Sequence, residues 1–146
     1  MRKGNRGQVL IIVALAFAVF LGFAALAVDV AYMYAVRSEL QRSADAGALA
    51  GASTFVDNTV PIGNRLYEAD FRARSYATQN PVAGGLLDSV NDVDVQVDLA
   101  DNLVRVTTDC TVNLFFARII GRARTSVQAV AAADHLPTDN TLRLVE

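Results

Sequence analysis

The segment from Gly4 to Phe55 reads GNRGQVLIIVALAFAVFLGFAALAVDVAYMYAVRSELQRSADAGALAGASTF. Residues 9–28 form a run of twenty without a charged side chain, and Asp29 follows directly. At about 1.5 Å per residue, a helix of that length covers roughly 30 Å, the thickness of a bilayer's hydrocarbon core. The run therefore predicts a transmembrane helix.

The charges around this run predict its orientation. Arg2, Lys3 and Arg6 precede it, and Lys and Arg are retained on the cytoplasmic side of a membrane. We expect a single-pass protein of the cytoplasmic (inner) membrane with its N-terminus inside. The other 10 bases of the chain accompany 15 acids. A mildly acidic exported part makes nucleic acid an unexpected partner.

A cleaved secretory signal is the alternative to a retained anchor. Ala25-Leu26-Ala27 has the small-x-small form of a cleavage site. However, the apolar run exceeds the roughly 7–15 residues that are usual in a signal peptide. The helical pattern also continues past the cleavage point, which favours an anchor embedded in the lipid bilayer.

The helix is predicted to continue beyond the membrane to about residue 55. Small residues recur there at a spacing of four, which lets another backbone approach closely. One alternative is that this stripe packs inside the chain, under a sheet. The other is that it contacts helices of other subunits. The predicted helix-packing interface consists of Asp29, Ala44, Gly47, Ala48 and Gly51.

Asp29 stands at the outer end of the apolar run, where a charge costs less than at the membrane centre. One interpretation is a boundary residue that water solvates. The other is a polar contact with a partner helix or with the globular domain.

The rest of the chain predicts a small α+β domain. A second helix is expected over about residues 65–79, with Leu66, Ala69, Ala73, Tyr76 and Ala77 on its buried stripe. Alternating apolar residues in NDVDVQVDL and LVRVTTDCTV predict a hairpin with one wet face, and RTSVQAVAAAD predicts a third strand. The expected fold is a long N-terminal transmembrane helix that carries a second helix and a three-stranded antiparallel sheet.

Four regions follow from these patterns. They are a basic cytoplasmic lead (1–7), the transmembrane helix with its extension (8–55), an extracytoplasmic α+β domain (56–134) and a flexible tail (135–146). Within the domain, LFFARIIG predicts one or two helical turns that Gly121 ends. Its apolar side chains, Phe115, Phe116, Ile119 and Ile120, are expected to plug the core.

Catalytic chemistry finds little support in the sequence. Cys110 is the single cysteine, on the apolar face of a predicted strand, and His135 is the single histidine. Neither belongs to a group with metal-ligand or catalytic-triad spacing. The acids between Asp88 and Asp101 could suggest calcium, but on an extended strand they do not converge on one point. We expect no catalytic, cofactor or metal site, no small-molecule substrate and no enzyme activity.

The N-terminal third of the chain resembles TadG-like proteins of the Flp (Tad, tight-adherence) pilus assembly system. The similarity rests on a basic lead with Arg6-Gly7, the apolar span, Val28-Asp29-Val30, Arg37 to Gln41, and the small residues from Ala44 to Ala52. Gly47 stands where the family more usually has alanine. More loosely, the Tyr76-Ala77-x-x-Asn80 helix end and FFARIIG also resemble the distal part of short family members.

This resemblance implies a membrane-anchored component of pilus or secretion machinery, with pilin-like architecture and with pilus-assembly or pilin-like subunits as partners. Larger family members carry a von Willebrand A-type domain, for which this chain lacks both the length and the Asp-x-Ser-x-Ser motif. Prepilin-type processing would cut between Gly7 and Gln8. Pilins usually have glutamate five residues after the cut, whereas this chain has Ile12.

Two functions from different classes are therefore expected. The first is a structural component of a Flp/Tad-type system, similar to a minor pilin or pseudopilin. The alternative is an exported binding module, tethered to the membrane, that recognises an envelope ligand through the wet face of its sheet.

Overall fold

A computed structural model describes residues 6–136 and 141–145 of the chain. The fold is α+β, as the sequence predicts, and its first helix, α1, is a single element of 51 residues. Much of the basic lead, 1–5, lies outside the described residues, as do 137–140 and 146 of the predicted tail. The elements are α1 (Arg6–Val56), α2 (Arg65–Ala77), β1 (Val93–Asp98), β2 (Leu103–Asn113), β3 (Arg124–Leu136) and β4 (Thr141–Val145).

The four strands form one antiparallel sheet in the order β1-β2-β3-β4. Side chains alternate between its faces, and Val93, Val104, Val106 and Ala131 lie on the buried face. The second half of α1 and α2 pack together on that face. The hairpin and the third strand thus have the apolar face that the sequence predicts.

The prediction of a three-stranded sheet is wrong by one strand. β4 pairs with the end of β3, where Ala133 lies opposite Leu144. A proline and polar residues in this stretch favour fraying over a strand, yet the edge of β3 opposite β2 offers hydrogen-bonding groups that β4 pairs with. β4 lies in the stretch predicted as a flexible tail, 135–146.

The buried stripe of α2 is narrower than the predicted one. Ala69, Ala73 and Ala77 are buried, whereas Leu66 and Tyr76 are both about half exposed. The physical reason is the close approach of α1, which leaves room only for methyl groups between the two helices. The larger side chains therefore lie at the edges of the contact.

The predicted core plug between β2 and β3 is also wrong. Ala117–Ile120 form a single 3-10 turn, which Gly121 ends with a positive φ of 89°. Ile119 is 83% exposed, and Phe115, Phe116 and Ile120 are exposed as well. These side chains point away from the core because the turn lies at the end of the domain nearest the apolar half of α1.

That apolar half projects from the domain. Among the described residues, α1 is the one helix that is long and apolar enough to cross a membrane, and its most apolar window is uncovered by the rest of the chain. Apolar side chains between Val9 and Val28 are exposed all around the helix. Such a surface suits lipid and is unfavourable in water.

Candidate functional site

Asp29 joins the two halves of α1 to the β2–β3 turn. Its side chain is 2% exposed, and its carboxylate accepts three backbone hydrogen bonds. Oδ1 accepts from the amide of Phe115 at 2.8 Å, and Oδ2 accepts from those of Phe116 at 3.0 Å and Ala117 at 2.6 Å. The acid thus contacts the globular domain of its own chain, at the end of the apolar span.

The local chain explains this geometry. Ladder pairing of β2 with β3 ends at Asn113, and the amides that open the next helical turn have no partner within that turn. A carboxylate satisfies several such donors together, and its bonds are stronger because it is charged. The ring of Phe115 also contacts that of Tyr32 edge-on, with centroids 5.5 Å apart. We name this arrangement of Asp29, Tyr32 and residues 115–117 the Asp29 junction.

The partners of Asp29 lie more than eighty residues further along the chain, and sequence reasoning did not identify them. Two features of the sequence could have indicated this contact. One is an acid directly after an apolar span, and the other is a second apolar stretch, LFFARIIG, that is not part of a predicted strand. Both features belong to the same end of the molecule.

Gly47 and Gly51 form a second candidate site, a seam between α1 and α2. A methyl group at Gly47 would lie 2.9 Å from the carbonyl oxygen of Ala73, and one at Gly51 would lie 2.8 Å from Cγ1 of Val104. Both distances are too short for carbon, so glycine is what permits the contact. Ala69, Ala73 and Ala77 of α2 complete the seam.

The remaining small residues of the predicted interface lie in the same core. Ala44 and Ala48 are fully buried within the chain. Nearby, the hydroxyl of Ser43 donates to the carbonyl of Ala77, and that of Thr108 donates to the carbonyl of Leu40 at 3.1 Å. These bonds join α1 to α2 and to the sheet. The stripe that could have met other subunits is thus occupied by contacts within the chain.

A charged cluster links the end of α1 to α2. Asp57 accepts hydrogen bonds from the backbone and hydroxyl of Thr59 and forms an ion pair with Arg72 at 2.9 Å. The bonds from Thr59, followed by those from Arg72, lower the pKa of Asp57 to about 2. Arg72 also pairs with Glu68 on its own helix at 3.0 Å.

The reactive side chains show no catalytic arrangement in the described part of the chain. Cys110 packs partly buried against the core, and burial followed by the nearby charges of Asp92, Asp109 and Glu39 raises its pKa. His135 lies on β3 rather than in a tail. The carboxylate of Asp88 accepts from the amides of Val90 and Asn91 and shapes a turn.

The sequence also raises a metal site and a processing site. Over residues 6–136 and 141–145, no cluster of three or more metal-ligating side chains is brought together. Gly7, next to Gln8 at the proposed processing point, lies in the first turn of α1. Among the described residues, none beyond its neighbours in that helix lies within 4 Å of where its Cβ would be.

Comparison with known families identifies the N-terminal module. Residues 7–54 match the family described as "Putative Flp pilus-assembly TadE/G-like". The match covers the apolar span, Asp29 and the glycine seam, about a third of the chain. It confirms the resemblance to TadG-like pilus-assembly proteins. No curated protein and no solved structure matches the chain.

Proposed function

We propose that this protein is a membrane-anchored structural component of a Flp/Tad-type pilus assembly or secretion system. The observation that carries the proposal is that the family match coincides with α1, a helix apolar in its first half and packed into a domain in its second. The N-terminus lies in the cytoplasm and the domain outside, in keeping with Arg2, Lys3 and Arg6. The protein acts by assembly and has no enzymatic role.

The architecture supports a role like that of a minor pilin or pseudopilin. A long helix leaves its apolar half free for the membrane while its other half packs on an antiparallel sheet. In this proposal the anchor is retained, because removal after Ala27 would take away the helix surface beside the β2–β3 turn. Residues Gly22 and Ala25 of the anchor line clefts together with Phe116 and Ile119 of that turn.

Partners of the assembly can be captured by photo-crosslinking in native membranes. Tyr67 and Phe71 form a stacked, solvent-exposed aromatic pair on α2, with centroids 6.3 Å apart. A photoreactive phenylalanine at Tyr67 reports on this face, and one at Gln96 of β1 reports on the wet face of the sheet. The proposal expects pilus-platform or pilin-like subunits as the products. Recovery of soluble or wall components alone would contradict it.

Processing between Gly7 and Gln8 is a separate proposal about the same anchor. Ile12 stands where pilins usually have glutamate, so we propose a component of the assembly platform or a minor position rather than a major filament subunit. Intact-mass analysis of protein from native membranes decides the cleavage. A mass that includes Met1 to Gly7 would rule it out while leaving the anchor in place.

A second candidate function is an exported binding module held at the membrane. The observation in its favour is an open cleft of about 640 Å³ at the β1–β2 corner, where Gln96, Asp98 and Arg105 stand beside Leu66 and Leu103. Polar and charged groups next to apolar side chains suit an envelope ligand. Capture of a wall component from Gln96, with no product from Tyr67, would favour this function over the first.

A further inference from the structure

We propose that the β2–β3 turn, Leu114 to Arg122, is a second membrane contact that inserts into the lipid leaflet on the domain side. Its occupant is phospholipid, with acyl chains against the apolar side chains of the turn and phosphate against its arginines. The inference rests on the membrane anchoring in the proposed function and adds a second, non-helical membrane element.

The first observation is where the turn lies. Phe116 and Ile119 line two clefts, of about 330 and 510 Å³, that flank the anchor helix at Gly22 and Ala25. The turn therefore lies over the anchor rather than over the sheet. The walls of both clefts are almost entirely apolar, and they continue the exposed surface of the anchor.

The second observation is depth. Ile120 of the turn lines the same cleft as Val19 of the anchor. Val19 precedes Asp29 by ten residues, or about 15 Å of helix. The same cleft extends along the anchor to Leu26, three residues before Asp29. If the span from Val9 to Val28 fills the hydrocarbon core, the tip of the turn lies below the surface of that leaflet. Ile119 and Ile120, which are exposed on the surface of the protein, would then be covered by lipid and not by water.

The third observation is hydrogen bonding. A backbone that enters hydrocarbon must satisfy its polar groups internally, because lipid offers no partners. The amides of Phe115, Phe116 and Ala117 donate to Asp29. Four further amides of the turn donate to carbonyls within the protein: Leu114 to Ala123, Ile119 to Phe116, Gly121 to Arg118, and Arg122 to Ala117. Asp29 thus supplies the acceptors that make an irregular turn compatible with lipid.

The fourth observation is charge. Arg118, Arg122 and Arg124 are exposed around the apolar tip. Long basic side chains extend along apolar surface and place their charge at the headgroups. Phospholipid supplies a phosphate at that level, whereas the span of a second copy, residues 9–28, carries no charged side chain to meet the arginines. The combination of an apolar tip with three surrounding arginines is why lipid is the occupant proposed.

The test places a fluorescent probe at Ile119 of the full-length protein. Cys110 is changed to serine, and Ile119→Cys is labelled with an environment-sensitive dye after reconstitution in phosphatidylglycerol–phosphatidylethanolamine vesicles. Ile119 is 83% exposed, so the substitution leaves the core unchanged. Ile62→Cys, at a similarly exposed site in the short 3-10 turn before α2, is the matched control for water. Phe17→Cys, within the anchor, is the control for lipid.

We expect a nitroxide on an upper acyl carbon to quench the probe at residue 119, and aqueous iodide to quench the probe at residue 62. Iodide quenching at 119 equal to that at 62 would overturn the proposal. Shielding from both quenchers, with crosslinking between copies through residue 119, would also overturn it and identify a second copy as the occupant. Absence of quenching at residue 17 by a nitroxide near the end of the acyl chain would instead contradict the membrane anchor and with it the proposed function.

Discussion

The two halves of α1 belong to one continuous helix but have opposite surroundings. Before Asp29 the large apolar side chains are exposed, as at Leu10 and Phe20. After Asp29 one face is buried, and Leu40, Ala44 and Ala48 are inaccessible. The difference lies in side-chain size as well as in polarity. Large exposed apolar groups suit a lipid surrounding, and small groups allow protein backbone to approach closely.

Asp29 separates the two halves. It is the first charged residue after the apolar span, and it binds backbone rather than water. The junction therefore fixes the domain at a defined height on the anchor. Without that contact, the domain would be held to α1 only through the packing of the second half of the helix on α2 and the sheet.

The largest effect is expected from Asp29→Ala. The change leaves the amides of residues 115–117 without their acceptor, and an unpaired amide away from water costs about 1–3 kcal/mol. We expect a clear drop in the thermal unfolding temperature of the domain in detergent, with a smaller drop for Asp29→Asn, which keeps one acceptor oxygen. Asp45→Ala is the control, since the carboxylate of Asp45 accepts from the side chain of Gln41 on the same helix. Equal stability of the two alanine variants would contradict the role of the junction.

Gly47→Leu is expected to have the next largest effect. Even a methyl group there would lie 2.9 Å from the carbonyl of Ala73, so a larger side chain must push the helices apart. Overpacking of this kind costs about 1–3 kcal/mol. Ala18→Leu is the control in the membrane half, where the alanine side chain is exposed. If circular dichroism gave both variants the same unfolding temperature, the two halves would not differ as described.

Thr108→Val tests a polar contact between the sheet and the second half of α1. The hydroxyl of Thr108 is buried and donates to the carbonyl of Leu40. Its loss should cost about 0.5–1.5 kcal/mol in chemical unfolding. Thr111→Val, at an exposed position on the same strand, is the control. A larger loss at Thr111 than at Thr108 would show that burial against α1 is not what matters.

The smallest effect is a pH dependence at the end of α1. The folded pKa of Asp57 is about 2, below the ordinary value of 3.8. The stabilisation is therefore complete above the ordinary pKa and is lost as the pH falls through the folded one. Between about pH 4 and pH 2, the unfolding temperature of the native domain should fall more steeply than that of Asp57→Asn. Parallel profiles of unfolding temperature against pH for the two proteins would show that Asp57 does not contribute to the pH dependence.

Much of the fold could be predicted because its signals are local. The apolar run and the absence of proline indicate one helix over residues 8–55, and the structure has it over Arg6–Val56. Alternation along residues 93–99 likewise predicts which face of β1 is buried, as the burial of Val93 confirms. These patterns depend on neighbours in sequence, which is why they suffice.

The rest depended on distant parts of the chain or on the surrounding medium. The side chains of Phe116 and Ile119 are apolar whether they face a core or lipid, so composition alone could not choose between them. Leu66 and Tyr76 fit the helical stripe, but the proximity imposed by Gly47 and Gly51 places them at its edges. The partners of Asp29 come from a loop closed by sheet pairing. No local pattern contains that information.

If α1 faces lipid before Asp29 and packs on the domain after it, a spin-label scan from Val19 to Leu40 in reconstituted vesicles will detect the change. Oxygen, which partitions into lipid, and a water-soluble nickel complex report the environment of each label. We predict that oxygen accessibility dominates at every position before Asp29. After Asp29 it should give way to a helical period with protected minima at Val36 and Leu40. A protected helical face that continues unchanged through residues 19–28, or access to nickel along that stretch, would contradict the account.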